Sequence, residues 1–82
     1  MSGRPRSGRE LHVTPRQGQI LDLAVRGLTD KEIASDLGIA VSTVRTHLER
    51  FYRENGLRNK SEAVAAWQHH RDTTRRANDS EQ

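Results

Sequence analysis

The polar residues between positions 42 and 53 have side chains suited to contacting phosphates and base edges. The set consists of Ser42, Thr43, Arg45, Thr46, Glu49, Arg50 and Arg53. A guanidinium group donates paired hydrogen bonds to phosphate or to guanine, and a threonine methyl group can contact thymine. A carboxylate such as that of Glu49 can instead accept from cytosine. A helix that presents these residues on one side would have the chemistry of a nucleic-acid contact.

The same segment supplies the apolar residues that such a helix needs on its other side. These follow at intervals of four and three residues, as Val44, Leu48 and Phe51. The spacing places them on one face of an α-helix. Asn55 and Gly56 then form a helix stop signal. We therefore predict a helix from about Val41 to Glu54.

A shorter helix precedes this one and is joined to it by a tight turn. Thr29 and Glu32 match a capping box, which begins a helix. Ala34 lets two helices approach closely, Gly38 permits a left-handed turn without a Cβ clash, and Val44 fills the junction. Counted from residue 30, these are the fifth, ninth and fifteenth positions of a helix-turn-helix, although unrelated helical hairpins show a similar pattern. In a DNA-binding unit of this type, the second helix enters the major groove.

Two further helices are predicted around this unit. Thr14 and Gln17 match a capping box with a proline at the first helical position, and Gly27 ends the helix that follows. Asn59 and Glu62 match a third capping box, which opens a helix over residues 60–70. No strand-like alternation appears in the sequence. The predicted fold class is all-α, with four helices.

Composition limits the chain to one small domain. It has 82 residues, of which 32% are hydrophobic and 30% charged, and it has no cysteine. Disulfide bonds and cysteine-type zinc sites are therefore excluded. The net charge is +3 and the pI about 10.2, which fits a polyanionic partner or simply an arginine-rich surface. No stretch approaches the about 20 apolar residues of a membrane span, and the N-terminus lacks the apolar core of a signal peptide.

Both ends of the chain are polar, which divides it into three parts. Residues 1–12 are rich in Gly, Ser, Pro and Arg and are predicted to be a disordered basic arm. This arm could follow a phosphate backbone or enter a minor groove, but a plain flexible terminus is the favoured interpretation. Residues 13–70 form the predicted folded domain, and residues 71–82 a polar flexible tail.

From Thr14 to Trp67 the sequence resembles the LuxR/GerE-type DNA-binding domain. Four blocks keep the family spacing without a gap, namely "TPR", "KEIA", "TVRTH" and "SEAV". The resemblance implies a four-helix domain of a cytoplasmic, bacterial or phage-encoded transcription regulator on the nucleoid. It also implies a dimer on a two-fold related DNA operator, with the fourth helix at the dimer contact. Because larger members carry an upstream signalling domain, a chain starting at Met1 is expected to be a stand-alone member or an excised domain.

The resemblance and the helix pattern together assign candidate roles to individual residues. The predicted base contacts are Arg45, Thr46, Glu49 and Arg50. The predicted phosphate contacts are Lys31, Ser42, Thr43 and Arg53. The predicted dimer contacts are Val64 and Trp67. An ordinary solvated helix face, a Glu49 ion pair with Arg45 or Arg53, and a core position for Trp67 are the alternatives.

Four positions depart from the family pattern. Glu49 stands where relatives often have a basic residue, which is expected to affect the operator sequence more than DNA binding itself. Gln17 replaces Glu and keeps the capping box while losing a charge. Ala40 replaces the usual Ser, so Ser42 or Thr43 is expected to take over the cap and shift the helix start. Asn55 replaces an apolar Leu, which is expected to disturb core or dimer packing.

Other classes of function have little support in the sequence. No cysteine nucleophile, carboxylate pair or histidine with triad partners is present, so we predict no enzyme and no cofactor. Adjacent His69 and His70 point in different directions on a helix, which argues against a metal site. A second hypothesis remains, in which the helix-turn-helix binds RNA polymerase, a sigma factor or another regulator with little affinity for DNA.

Overall fold

Four helices account for most of the domain. The computed structural model describes residues 11–80, with side chains described as far as residue 73. The helices are α1 (Pro15–Val25), α2 (Asp30–Leu37), α3 (Val41–Asn55) and α4 (Lys60–Ser80). No strand occurs between residues 11 and 80. The predicted all-α fold of four helices is confirmed, whereas most of the predicted N-terminal arm lies outside the described residues.

Capping boxes begin the first two helices, as the sequence predicts. Thr14 Oγ accepts a hydrogen bond from the Gln17 amide at 3.1 Å, and Gln17 Oε1 accepts one from the Thr14 amide at 2.9 Å. Thr29 and Glu32 form the same reciprocal pair at 3.1 and 2.8 Å. Each pair satisfies two amide groups that a helix start would otherwise leave unbonded.

The turn between α2 and α3 uses a left-handed glycine and an uncapped start. Gly38 has φ 70° and ψ 36°, a conformation that other residues adopt only with strain. Ala40 has the extended conformation of an N-cap, but no side chain caps α3. The expected takeover by Ser42 or Thr43 is therefore wrong. Helix α3 begins at Val41 without shifting, because its packing fixes the start even when a cap is missing.

The core lies where the three inner faces of α1, α2 and α3 meet the start of α4. Its buried apolar members are Ile20, Leu21, Ala24, Ile33, Ala34, Val44, Leu48, Phe51 and Ala63. The predicted inner face of α3 is thus confirmed. Gln17 is 1% exposed, and its Nε2 donates to the His47 carbonyl oxygen at 3.4 Å, which links α1 to α3.

The fourth helix differs from its predicted form at both ends. Asn59 Oδ1 accepts from the Glu62 amide at 3.0 Å, but Glu62 Oε1 accepts from the Arg58 amide at 2.7 Å. Only half of the predicted capping box is therefore formed. The helix continues to Ser80, ten residues beyond the predicted end at residue 70. Apolar periodicity stops near Trp67, but no Gly or Pro follows to end the helix.

The start of the described chain is bonded to the end of α3. Asn55 Oδ1 accepts from the His12 amide at 2.8 Å, and Asn55 Nδ2 donates to the His12 carbonyl oxygen at 3.0 Å. Leu11, one residue earlier, packs against the core. Both residues belong to the predicted disordered arm, yet here they contact the folded domain. Asn55 thus joins two parts of the fold, and the expected disturbance of the core is not seen. Its effect on dimer packing stays a prediction.

Candidate nucleic-acid interface

Helix α3 is anchored on one side and open on the other. Val44 and Phe51 are 0% exposed, and Leu48 is 2% exposed. The polar residues of the predicted site lie on the opposite side of the helix. Six of them are exposed and one is half-buried, in the order Ser42, Thr43 (half-buried), Arg45, Thr46, Glu49, Arg50 and Arg53. One continuous surface of α3 therefore carries all predicted base contacts and three of the four predicted phosphate contacts.

The turn brings α2 to the side of this surface. Ile33 and Ala34 of α2 are buried in the same core as Val44 of α3. Lys31, the remaining predicted phosphate contact, is exposed on the first turn of α2. The helix pair thus has the arrangement of a helix-turn-helix, in which the first helix lies across the DNA backbone while the second enters the groove.

Among the described side chains, Arg45 has one oppositely charged partner. Its Nε lies 3.6 Å from Asp30 Oδ2, and the Arg45 side chain remains 66% exposed. Among residues 11–73, no ion pair joins Glu49 to Arg45 or Arg53, so the alternative of a Glu49 ion pair on this helix is not observed. The Arg45 side chain thus extends outward from α3 while its Nε stays beside Asp30.

Asp30 is a residue of this region that the sequence analysis missed. Its Oδ1 lies 3.1 Å from Lys60 Nζ, which also donates to the Leu28 carbonyl oxygen at 3.2 Å. Asp30 therefore connects α2 to α3 through Arg45 and to α4 through Lys60. Neither partner is close to Asp30 in the sequence, and no periodic pattern links the three residues.

Tyr52 of α3 lies near two carboxylates, that of Asp30 on α2 and that of Glu49 on α3. Burial raises the pKa of its hydroxyl, and the carboxylates of Asp30 and Glu49 raise it further. The phenol consequently loses its proton at a higher pH than an ordinary tyrosine does. It gives a spectroscopic probe of the charge around Asp30.

The predicted dimer residues have different surroundings in α4. Trp67 Nε1 donates to Asp22 Oδ1 at 2.9 Å, and the indole stacks on His70 with ring centroids 5.5 Å apart. Trp67 also packs against the core, so its alternative as a core residue is realised in part. Val64 lines an open groove between α4 and the end of α1, together with residues such as Leu28 and Ala65.

The described residues include neither a membrane-spanning helix nor a group of metal ligands. Between residues 11 and 80, no helix is long and apolar enough to cross a membrane. Within the same part of the chain, no three His, Cys, Asp or Glu side chains are grouped as metal ligands.

Comparisons with known proteins agree with this arrangement. Residues 11–66 match the family model for bacterial regulatory proteins of the luxR family (GerE). The chain is 35% identical over 52 residues to the HTH-type transcriptional regulator MalT of Yersinia pestis and to that of Serratia proteamaculans. Each match covers 63% of this chain but 6% of the relative, so the chain spans a small part of the length of these regulators.

A solved structure shows the same fold. The response regulator ChrA of a heme-sensing two-component system superposes with a TM-score of 0.68 at 31% sequence identity. The match covers 83% of this chain and 32% of that protein. With a family model matching residues 11–66, a common fold and the exposed α3 surface, the chain belongs to the LuxR family of bacterial regulatory proteins and carries its helix-turn-helix DNA-binding domain.

Proposed function

We propose that this protein is a sequence-specific regulator of transcription that places α3 in the major groove of double-stranded DNA. The observation that carries the proposal is the exposed polar surface of α3 above a fully buried inner face. Its base contacts are Arg45, Thr46, Glu49 and Arg50. Its phosphate contacts are Lys31, Ser42, Thr43 and Arg53.

The uncapped start of α3 supports a phosphate contact. Ala40 offers no side-chain acceptor to the amides of the first turn. Amide groups at a helix start carry partial positive charge and bind phosphate oxygens readily. Ser42 and Thr43 lie in this turn. The Thr43 amide donates to the Ala40 carbonyl oxygen at 3.0 Å, so the two hydroxyl groups and the Ser42 amide are the groups that can share one phosphate.

A dimer on a two-fold related operator completes the proposal. The groove beside Val64 gives α4 an open surface with an apolar part at Val64 and Ala65 and a polar part that includes Lys60 and Gln68. The Trp67 nitrogen, in contrast, is already bonded within the chain. We expect Val64→Asp to abolish cooperative binding to a two-half-site duplex and to leave half-site binding unchanged. The exposed Thr73→Asp, which adds the same charge farther along α4, serves as its control.

In this proposal the protein acts in the bacterial cytoplasm, on the nucleoid, encoded by the bacterium or by a phage. RNA polymerase is a candidate second partner. A protein-interaction module with little affinity for DNA is the competing function. It is favoured by the exposed carboxylate of Glu49 on α3, which repels phosphate.

Selection of bound duplexes from a random library, followed by sequencing, separates the two functions. DNA reading predicts one enriched motif with two-fold symmetry and affinity that falls steeply with salt, because bound phosphates release counterions. Absence of any enriched motif, together with binding to RNA polymerase or a sigma factor, would instead establish the interaction module.

A further inference from the structure

We propose that Asp30 is a positioning residue that sets the direction of Arg45 and thereby contributes to base preference. The inference rests on the proposed function, because it requires Arg45 to contact DNA. It adds a residue that neither the helix pattern nor the family resemblance assigns to the interface.

The geometry around Asp30 is that of an anchor. Its two carboxylate oxygens contact different cations, Oδ1 to Lys60 at 3.1 Å and Oδ2 to Arg45 at 3.6 Å. The Asp30 side chain is 26% exposed and that of Arg45 is 66% exposed. The less exposed Asp30 thus contacts Arg45 at Nε, the guanidinium nitrogen next to the aliphatic part of the side chain.

The contact leaves the reading atoms of Arg45 available. It is made through Nε, whereas a bidentate contact to guanine can be made by the two terminal nitrogens. At 3.6 Å this contact is an ion pair rather than a hydrogen bond, so it favours some rotamers of the long Arg45 side chain and lowers the entropy that binding would cost. Asp30 therefore biases Arg45 toward one orientation before DNA arrives.

Lys60 makes this anchor compatible with a polyanion. A lone carboxylate beside DNA would repel phosphates. Here one carboxylate faces two cations, and the Lys60 ammonium is itself fixed by the Leu28 carbonyl oxygen at 3.2 Å. The first residue of α4 thereby supports a contact on α3, although the two are 15 positions apart.

The test compares Asp30→Asn with Asp36→Asn, which removes the same charge from an exposed position of α2. Affinities are measured by fluorescence anisotropy on the selected duplex and on the duplex changed at the base pair read by Arg45. We expect Asp30→Asn to lower the ratio of the two affinities by about three- to tenfold, as expected for a weakened bidentate contact. Asp36→Asn should change both affinities equally and keep the ratio. In an Arg45→Ala background, Asp30→Asn should have no further effect on the ratio.

Two outcomes separate this inference from the proposed function. If Arg45→Ala lowers the ratio and Asp30→Asn changes both affinities by one common factor, Asp30 is only a general charge and the inference fails alone. If Arg45→Ala leaves the ratio unchanged, or no duplex is selected, the reading role of Arg45 fails and the inference with it.

A readout without DNA tests the contact itself. The Nε–H resonance of Arg45 in an NMR spectrum should shift in Asp30→Asn and stay in place in Asp36→Asn. An unshifted resonance would contradict the anchor. If Asp30→Asn does not fold, Asp30→Glu keeps the charge but moves the carboxylate, and it should still lower the affinity ratio.

Discussion

The side-chain amide of Asn55 holds the main chain of His12 through two hydrogen bonds of opposite direction. The amide of His12 donates at 2.8 Å, and its carbonyl oxygen accepts at 3.0 Å. Asn55 Nδ2 also donates to the Phe51 carbonyl oxygen at 2.9 Å, which fixes the side chain to its own helix. The chain that enters α1 is thereby tied to the end of α3.

Replacing Asn55 with alanine should release this entering segment. We expect a loss of about 1–2 kcal/mol in the free energy of unfolding, since the net value of a hydrogen bond is about 1 kcal/mol. Urea denaturation measures the loss, and hydrogen exchange at the His12 amide should accelerate. Glu54→Ala, at the neighbouring exposed position, is the control. Unchanged exchange at His12 would show that the contact does not exist in solution.

Ala40→Ser should stabilise the domain. Ala40 has φ −74° and ψ 150°, the conformation in which a serine hydroxyl can cap α3. The gain is expected to be about 1 kcal/mol, a typical difference between serine and alanine at this position. Thermal and urea denaturation measure it. Ala65→Ser places the same hydroxyl on the exposed face of α4 and should give no gain. If both changes alter the free energy of unfolding by the same amount, the serine at position 40 does not cap α3.

Trp67→Phe tests the link between α1 and α4. The variant keeps an aromatic ring but removes the donor that bonds to Asp22 at 2.9 Å. We expect a loss of about 1–3 kcal/mol. About 1 kcal/mol comes from the bond, because the Asp22 side chain is 48% exposed and water can replace part of it, and the rest from the outer indole ring that packs beside Gly18. Asp22→Ala should weaken the domain too, and the double variant should lose less than the sum. Strict additivity would mean that the two side chains do not interact.

Tyr52 should titrate above its ordinary pKa of 10.0. Burial is the main cause, followed by Asp30 and then Glu49, so Asp30→Asn should lower the pKa more than Glu49→Gln does. Because the pKa is raised in the folded state, the associated stability is present below pH 10.0 and is lost as the pH rises through the folded pKa. Absorbance at alkaline pH follows the single tyrosine of the chain directly. A midpoint at or below 10.0 would contradict the burial of its ring.

Local signals explain which parts of the structure were predictable. The boxes of Thr14 and Thr29 use residues three positions apart, and the inner face of α3 repeats every three or four residues. Such patterns depend on one helix alone. The exposed surface of α3 follows from the same periodicity, whereas the individual roles proposed for its residues and for Lys31 depend on the family resemblance.

Contacts between distant residues explain what was missed. The Asn55 contact spans 43 positions and the Lys60 contact to Asp30 spans 30, and neither leaves a periodic signal. The length of α4 was underestimated because its apolar pattern ends near Trp67. There the Arg71 guanidinium contacts Asp22 at 3.3 Å, a contact that again depends on tertiary structure.

The most direct test of DNA reading by α3 is the affinity of Arg45→Ala for two duplexes, the selected operator and the same duplex changed at one base pair. We expect the variant to lose about 1–3 kcal/mol on the operator and to lose its preference between the two duplexes. The wild-type protein should keep that preference at the same salt concentration. An equal loss on both duplexes, with the preference intact, would make Arg45 a phosphate contact and contradict its role as a base-reading residue.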